Sequence, residues 1–259
     1  MADARHIVLV HGAWQGSWAF DAWLPHLRAR GWTPHAVDLP GNGWGPQAHA
    51  AASLASYTQA VVSLLDRLEA PAVVLGHSGG GITASQVAEA VPRQVRALVY
   101  LAGMMLPSGV AYASLVRECA LERPDVDLAG ITPHLQWSDD GAASSVGEAG
   151  ALACFLQDCP PEAARRAAAL LRPQPESGRA MTNTLHPERY GRVPRIYVEC
   201  LKDRSVHPLV QQRMQQRSPG ALRLPLDCGH VPQLACPQAL AHLLCPALDA
   251  LPPLSPSLS

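Results

Sequence analysis

A serine set among glycines, a histidine in a short loop late in the chain and an aspartate just past a β-rich run are the side chains that could do chemistry together. Gly76-His77-Ser78-Gly79-Gly80 has the form G-x-S-x-G, in which a sharp strand-to-helix turn lifts a serine hydroxyl to act as a nucleophile. Composition alone produces such a match in roughly one chain in ten of this length, so the setting has to carry the assignment. A serine needs a base, and an imidazole base needs a carboxylate to orient it. Enzymes built on this turn order the three as Ser, Asp or Glu, then His. His230 lies in the loop DCGHVP and is the candidate base. His11 and His77 belong to motifs of their own, and His186, His207 and His242 lack a strand-end position. Asp203, one residue beyond RIYVECL, is the candidate acid. Asp227 is too near His230 in sequence to fold back behind its ring, and Asp125, Asp127, Asp139, Asp140 and Asp158 fall in the irregular middle of the chain. Attack on a carbonyl also needs two backbone N–H groups where the oxyanion forms. Gly79, after the serine, and Ala13, in the turn after the first strand, are the candidate donors, and Gly12 lets the backbone approach a substrate.

These residues need strands that end together and helices that follow them. Short apolar runs at 5–10, 33–38, 72–75, 95–101, 195–201 and 221–226 read as strands; helical periodicity at 18–30, 53–69, 80–90, 207–217 and 237–249 supplies the helices. Gly31 is placed to end the first helix, Ser53 to cap the second and Pro71 to stop it. Alternating strands and helices predict an α/β fold with a mostly parallel central sheet covered on both faces. The rhythm breaks between 104 and 192, where no clear β run is visible and stretches such as PEAARRAAALL are helical. Residues 1–103 and 193–250 are therefore expected to form one core, 104–192 an inserted helical cap before the strand carrying the acid, and 251–259 a frayed tail.

Composition narrows the function classes. Of 259 residues 48% are hydrophobic and 16% charged, and 20 Lys and Arg against 21 Asp and Glu leave a formal net charge of -1. No basic footprint for nucleic acid is present, and no stretch nears the roughly 20 apolar residues of a membrane span. Seven cysteines, an odd number without CxxC or zinc spacing, read as mostly buried thiols, Cys228 included, and the N-terminus shows no secretion signal. The expected location is the cytoplasm, the expected partner a small-molecule substrate, and no cofactor or metal is called for. The oligomeric state stays open, a homodimer being one option.

VHGAWQGSW (10–18), GHSGGG (76–81), ECLKDRSV (199–206) and CGHVPQ (228–233) resemble the α/β-hydrolase superfamily, and more closely the small-molecule esterases that include plant methyl salicylate esterases, hydroxynitrile lyases and many bacterial esterases. The resemblance runs from about residue 5 to 245 and is weak in the middle segment. It implies the α/β-hydrolase fold, a Ser78, Asp203, His230 triad, and oxyanion donors at Ala13 and Gly79. Three departures stand out. The residue after the nucleophile is usually larger than Gly79, the plant esterases carry His where Gln15 stands, and the lyases use Thr at Gly12 and Lys at Val231. The last difference removes the groups that would stabilise departing cyanide, so the implied activity is hydrolysis of small, largely apolar carboxylic esters. Amide, carbamate, lactone, thioester and carbon–carbon bonds remain alternatives, as does a receptor-like binder with slow turnover. Trp14, Met104, Met105, Trp137, Phe155 and Leu185 are candidates for an apolar substrate pocket.

Overall fold

A computed structural model describes residues 5–251. The expected tail at 252–259 lies outside the described residues. Nine strands and nine α-helices occur among the described residues. The strands are β1 (His6–Val10), β2 (Thr33–Ala36), β3 (Ala72–His77), β4 (Val95–Leu101), β5 (Leu135–Trp137), β6 (Ala143–Val146), β7 (Gln174–Pro175), β8 (Arg195–Cys200) and β9 (Ala221–Leu226). The helices are α1 (Leu24–Arg28), α2 (Leu54–Leu65), α3 (Gly80–Ala90), α4 (Tyr112–Glu122), α5 (Glu148–Cys154), α6 (Pro161–Leu170), α7 (Pro208–Arg217), α8 (Pro232–Ala235) and α9 (Pro237–Asp249).

Six strands form one sheet in the order β2-β1-β3-β4-β8-β9, and every pairing in it is parallel. A fully parallel sheet must be covered on both faces, so its inner strands β1, β3 and β4 are dominated by buried apolar residues and successive residues enter different cores. Val8, Val10, Val74, Leu98, Tyr100 and Tyr197 pack with Tyr57 and Val61 of α2, Ile82 and Val87 of α3, Leu115 of α4, and Val210 and Met214 of α7. Ile7, Leu9, Val73, Leu75, Val99 and Val198 pack on the opposite face against Phe20, Trp23, Leu27 and the α9 residues Leu240, Leu244 and Leu248.

The strand order places the site. After β1 the chain goes to β2 on one side, then returns to β3 on the other, so β1 and β3 are neighbours whose following loops diverge. In open α/β sheets ligands bind at that switch point, beyond the carboxyl ends of the strands. Val10 pairs with Gly76 there, which sets Gly12 and Ser78 two residues past the ends of adjacent registers.

Two expectations need correction. The segment between β4 and β8 is not purely helical: β5, β6 and β7 form a three-stranded antiparallel sheet within it. The single helix expected over 18–30 is instead a 3-10 turn, Ser17–Phe20, and the short α1. Pro25 explains the break, because a proline is accommodated in a helix's first turn and not in its interior.

Candidate active site

Ser78 sits between the end of β3 and the start of α3 with φ at +52°, a left-handed conformation that costs a non-glycine residue about 1–2 kcal/mol. Its surroundings hold it there. Its N–H donates to Leu101 O at 3.2 Å, and its carbonyl accepts from Gly81 N at 3.0 Å and Met104 N at 2.9 Å. The motif's outer glycines are imposed by contact: a Cβ on Gly76 would lie 2.5 Å from Gly80 O, and one on Gly80 would lie 2.5 Å from Val10 O. A Cβ on Gly79 would meet nothing within 4 Å, so its smallness leaves room beside the serine.

Asp203 and His230 extend from the ends of β8 and β9, whose pairing continues into the loops through Leu201 N to Leu226 O at 2.9 Å and Lys202 N to Cys228 O at 3.0 Å. His230 Nδ1 lies 2.7 Å from Asp203 Oδ2. Both residues are buried, at 4% and 2% exposure. Asp203 Oδ1 accepts from Ser205 N at 2.7 Å and Val206 N at 2.8 Å, and Oδ2 also accepts from Gln211 Nε2 at 3.2 Å. With Nδ1–H directed at the carboxylate, Nε2 keeps the imidazole lone pair. No hydrogen bond joins Ser78 Oγ to the His230 ring among the described residues. Asp227 pairs on the surface with Lys202 instead.

Two further histidines are struts. Burial, and then the nearby His230 ring, holds the His77 pKa well below 6.5. Neutral His77 therefore donates from Nε2 to the His230 carbonyl at 2.8 Å, and its Nδ1 lies 3.1 Å from Gln15 Oε1. Burial also lowers the pKa of His11. Its Nδ1 donates to Gly12 O at 2.8 Å and its Nε2 accepts from Leu39 N at 3.1 Å. That pins the turn in which a Cβ on Gly12 would lie 2.8 Å from Ser78 Cβ. Neither Ala13 N nor Gly79 N meets a protein acceptor among the described residues.

A cavity of about 410 Å³ opens over Ser78. Of the candidates named from the sequence, Gly12, Ala13, Trp14, Gly79, Met104 and Trp137 line it. Met105 and Phe155 do not. Met105 is fully buried in the core below. Phe155 stands behind Trp14, ring centroids 6.4 Å apart and nearly parallel, and turns its edge to His230. Leu185 packs against the main core. Sequence reasoning missed Leu39, Asn42, Tyr57, Leu128, Gln174 and Met181 of the lining. Burial pushes the Tyr57 hydroxyl up to about 12, so it stays protonated and donates to Asn42 Oδ1 at 2.7 Å. Arg117 and Arg179 are the charged residues of the lining among the described residues, and Arg179 is paired bidentately with Glu176.

Gln211 was also missed. It is fully buried on α7, joins Cys200 N and O at 3.0 and 3.1 Å, and reaches Val206 O at 2.7 Å besides Asp203. Nothing in the run LVQQRMQQR distinguishes it from its neighbouring glutamines. Cys228 is buried, as expected, and donates to Asp158 Oδ2 at 3.1 Å. No group of three or more His, Cys, Asp or Glu side chains is placed to hold a metal ion among the described residues.

The sequence profile of an alpha/beta hydrolase family matches residues 7–243. A pyrethroid hydrolase of Sphingobium wenxiniae is 29% identical over 94% of this chain and 88% of its own length. Salicylic acid-binding protein 2 of Nicotiana tabacum is 30% identical over 83% and 85%, and methyl jasmonate esterase 1 of Vitis vinifera 26% identical over 93% and 95%. Among solved structures, a pyrethroid hydrolase from Sphingobium faniae superposes with a TM-score of 0.80 at 27% identity, over 95% of this chain and 98% of that one.

Proposed function

The chain belongs to the alpha/beta hydrolase family and is a carboxylesterase-type enzyme, and on that premise we propose that it cleaves small, largely apolar esters through Ser78, His230 and Asp203. The observation that carries the reading is the buried His230–Asp203 hydrogen bond, formed beyond the same sheet edge that lifts Ser78 at a positive φ. His230 Nε2 takes the proton of Ser78 Oγ as the oxygen attacks the ester carbonyl. Ala13 N–H and Gly79 N–H hold the oxyanion, and His230 then protonates the leaving alcohol. Water, deprotonated by the same imidazole, attacks the acyl-enzyme and releases the acid. Asp203 fixes the tautomer and stabilises the imidazolium.

The cavity volume lies in the range of small-molecule sites, and its apolar lining and the space beside Gly79 favour esters with a bulky apolar acyl or alcohol part. The names of the pyrethroid and methyl jasmonate relatives support the same substrate class for this chain. We read residues 104–192 as the cap that completes the cavity, since Tyr112, Leu128, Trp137 and Met181 of that segment line it together with Ser78.

A fluorophosphonate tests the reading directly. Mass spectrometry is expected to find the adduct on Ser78 in the wild type and none in folded Ser78→Ala or His230→Ala, both without measurable ester turnover. A folded Ser78→Ala that kept a substantial fraction of the wild-type rate would exclude the acyl-enzyme. A wild-type protein that bound ester but resisted labelling would be a receptor-like binder.

A further inference from the structure

We infer that Gln174, on β7 and far from Ser78 in sequence, is a positioning residue that aims the Ala13 N–H at the oxyanion by holding Trp14 in a left-handed backbone conformation. This rests on the hydrolase reading above and extends it to a residue that touches neither the serine nor its base.

Trp14 has φ at +63°, a conformation that a bulky residue keeps only where its surroundings over-determine it. The groups that hold it come from the inserted segment. Trp14 N donates to Gln174 Oε1 at 3.3 Å, Trp14 O accepts from Arg172 N at 3.0 Å, and the indole Nε1 donates to Ser144 O at 3.1 Å. Gln174 is 1% exposed, and its other end is anchored as well. Nε2 donates to Tyr57 OH at 3.0 Å, and that hydroxyl donates to Asn42 Oδ1. A chain of hydrogen bonds thus runs from Asn42 through Tyr57 and Gln174 to the Trp14 amide, bridging the sheet's carboxyl end and the inserted segment. It has a direct consequence for the turn. The Trp14 N–H is already engaged, and the Ala13 N–H, one residue earlier, is the donor left without a protein acceptor among the described residues. Rotation of the Trp14 backbone towards an ordinary φ would swing the Ala13–Trp14 peptide and misdirect its neighbour.

The test compares Gln174→Leu, which keeps the volume and loses both bonds, with Gln174→Glu, which keeps an acceptor for Trp14 N. Three quantities are read in each: kcat and KM for an aryl ester, the Ki of a trifluoromethyl ketone that forms an oxyanionic adduct with Ser78, and the Kd of an ether isostere that fills the cavity without one. Gln174→Leu is expected to lose about 10- to 100-fold in kcat and the same factor in ketone affinity, with ether affinity and KM nearly unchanged and Gln174→Glu recovering most of the loss. Wild-type kcat in folded Gln174→Leu overturns the proposal, and so does a parallel weakening of ketone and ether, which marks general damage to the cavity. Should Gln174→Leu fail to fold, Tyr57→Phe, which removes the hydroxyl anchor of the carboxamide and leaves only its bond to the Pro175 carbonyl, is expected to show a smaller kcat loss with the same split; no split there overturns it too. A wild type that binds the ether yet neither turns over ester nor forms the ketone adduct overturns the hydrolase reading instead.

Discussion

At the scale of single residues, the strained serine is a stability cost that a substitution can recover. Ser78→Gly removes the penalty of a side chain at φ +52° and is expected to stabilise the fold by about 1 kcal/mol, a rise of roughly 2–4 °C in Tm for a chain of this size, while abolishing turnover. Ser78→Ala keeps a Cβ at the same φ and should show no such gain; calorimetry of the two variants checks it, and equal Tm values would mean the turn is unstrained. The residues proposed as the triad were legible in the sequence because each is marked by its neighbours: Ser78 by glycines that contact forbids replacing, Asp203 and His230 by their places just past β-rich runs. The pocket was legible only in part. Met104 and Met105 are adjacent at a strand end, and composition cannot say which faces the cavity; the backbone turns Met104 into it and Met105 into the core. Phe155 supports Trp14 from behind, a relation visible only once two distant segments are packed together.

At the scale of elements, one helix holds the proposed acid. α7 follows the Asp203 loop and returns Gln211 beneath it, where one carboxamide bonds Cys200, Val206 and Asp203. Gln211→Leu leaves buried backbone groups unpaired and is expected to cost about 2–4 kcal/mol of stability and to lower kcat by about tenfold, read from urea unfolding and steady-state kinetics. An unchanged kcat in the folded variant would show that the two backbone donors suffice for Asp203. Elements buried on two faces were the readable ones, since short apolar runs such as AVVL, bounded by Pro71 and Gly76, and ALVYL fit a strand covered on both faces. The strands β5, β6 and β7 were not readable: they span three, four and two residues, too few for a period, and LQW, ASSV and QP carry no common pattern. Tertiary pairing alone makes them strands.

At the scale of the whole molecule, the neutral buried histidines couple stability to pH. His11 and His77 titrate below the ordinary value of 6.5 in the folded protein, both chiefly through burial. The unfolded chain binds those protons near 6.5, so acid favours unfolding. The contribution is complete above about pH 7 and is lost as pH falls below 6.5, at up to about 1.4 kcal/mol per pH unit for each histidine. Urea midpoints measured from pH 7.5 to 5.5 should fall, and a flat series would mean that these rings are already charged in the fold.

The inserted segment also has a bearing on how such an enzyme can be altered. It grips the Trp14 turn through Ser144, Arg172 and Gln174, and its Gln157 and Asp158 reach the Lys202 carbonyl and the Gly229 amide beside the acid and the base. The segment proposed above as the cap is therefore not an interchangeable module. A graft of residues 104–192 from a relative would bring a new cavity wall together with foreign braces for the oxyanion turn and the histidine loop, and chimeras should fail in catalysis before they fail in binding. Diversification for new substrates is better confined to wall positions whose side chains make no hydrogen bond to the oxyanion turn or the histidine loop, such as Leu128, Trp137 and Met181.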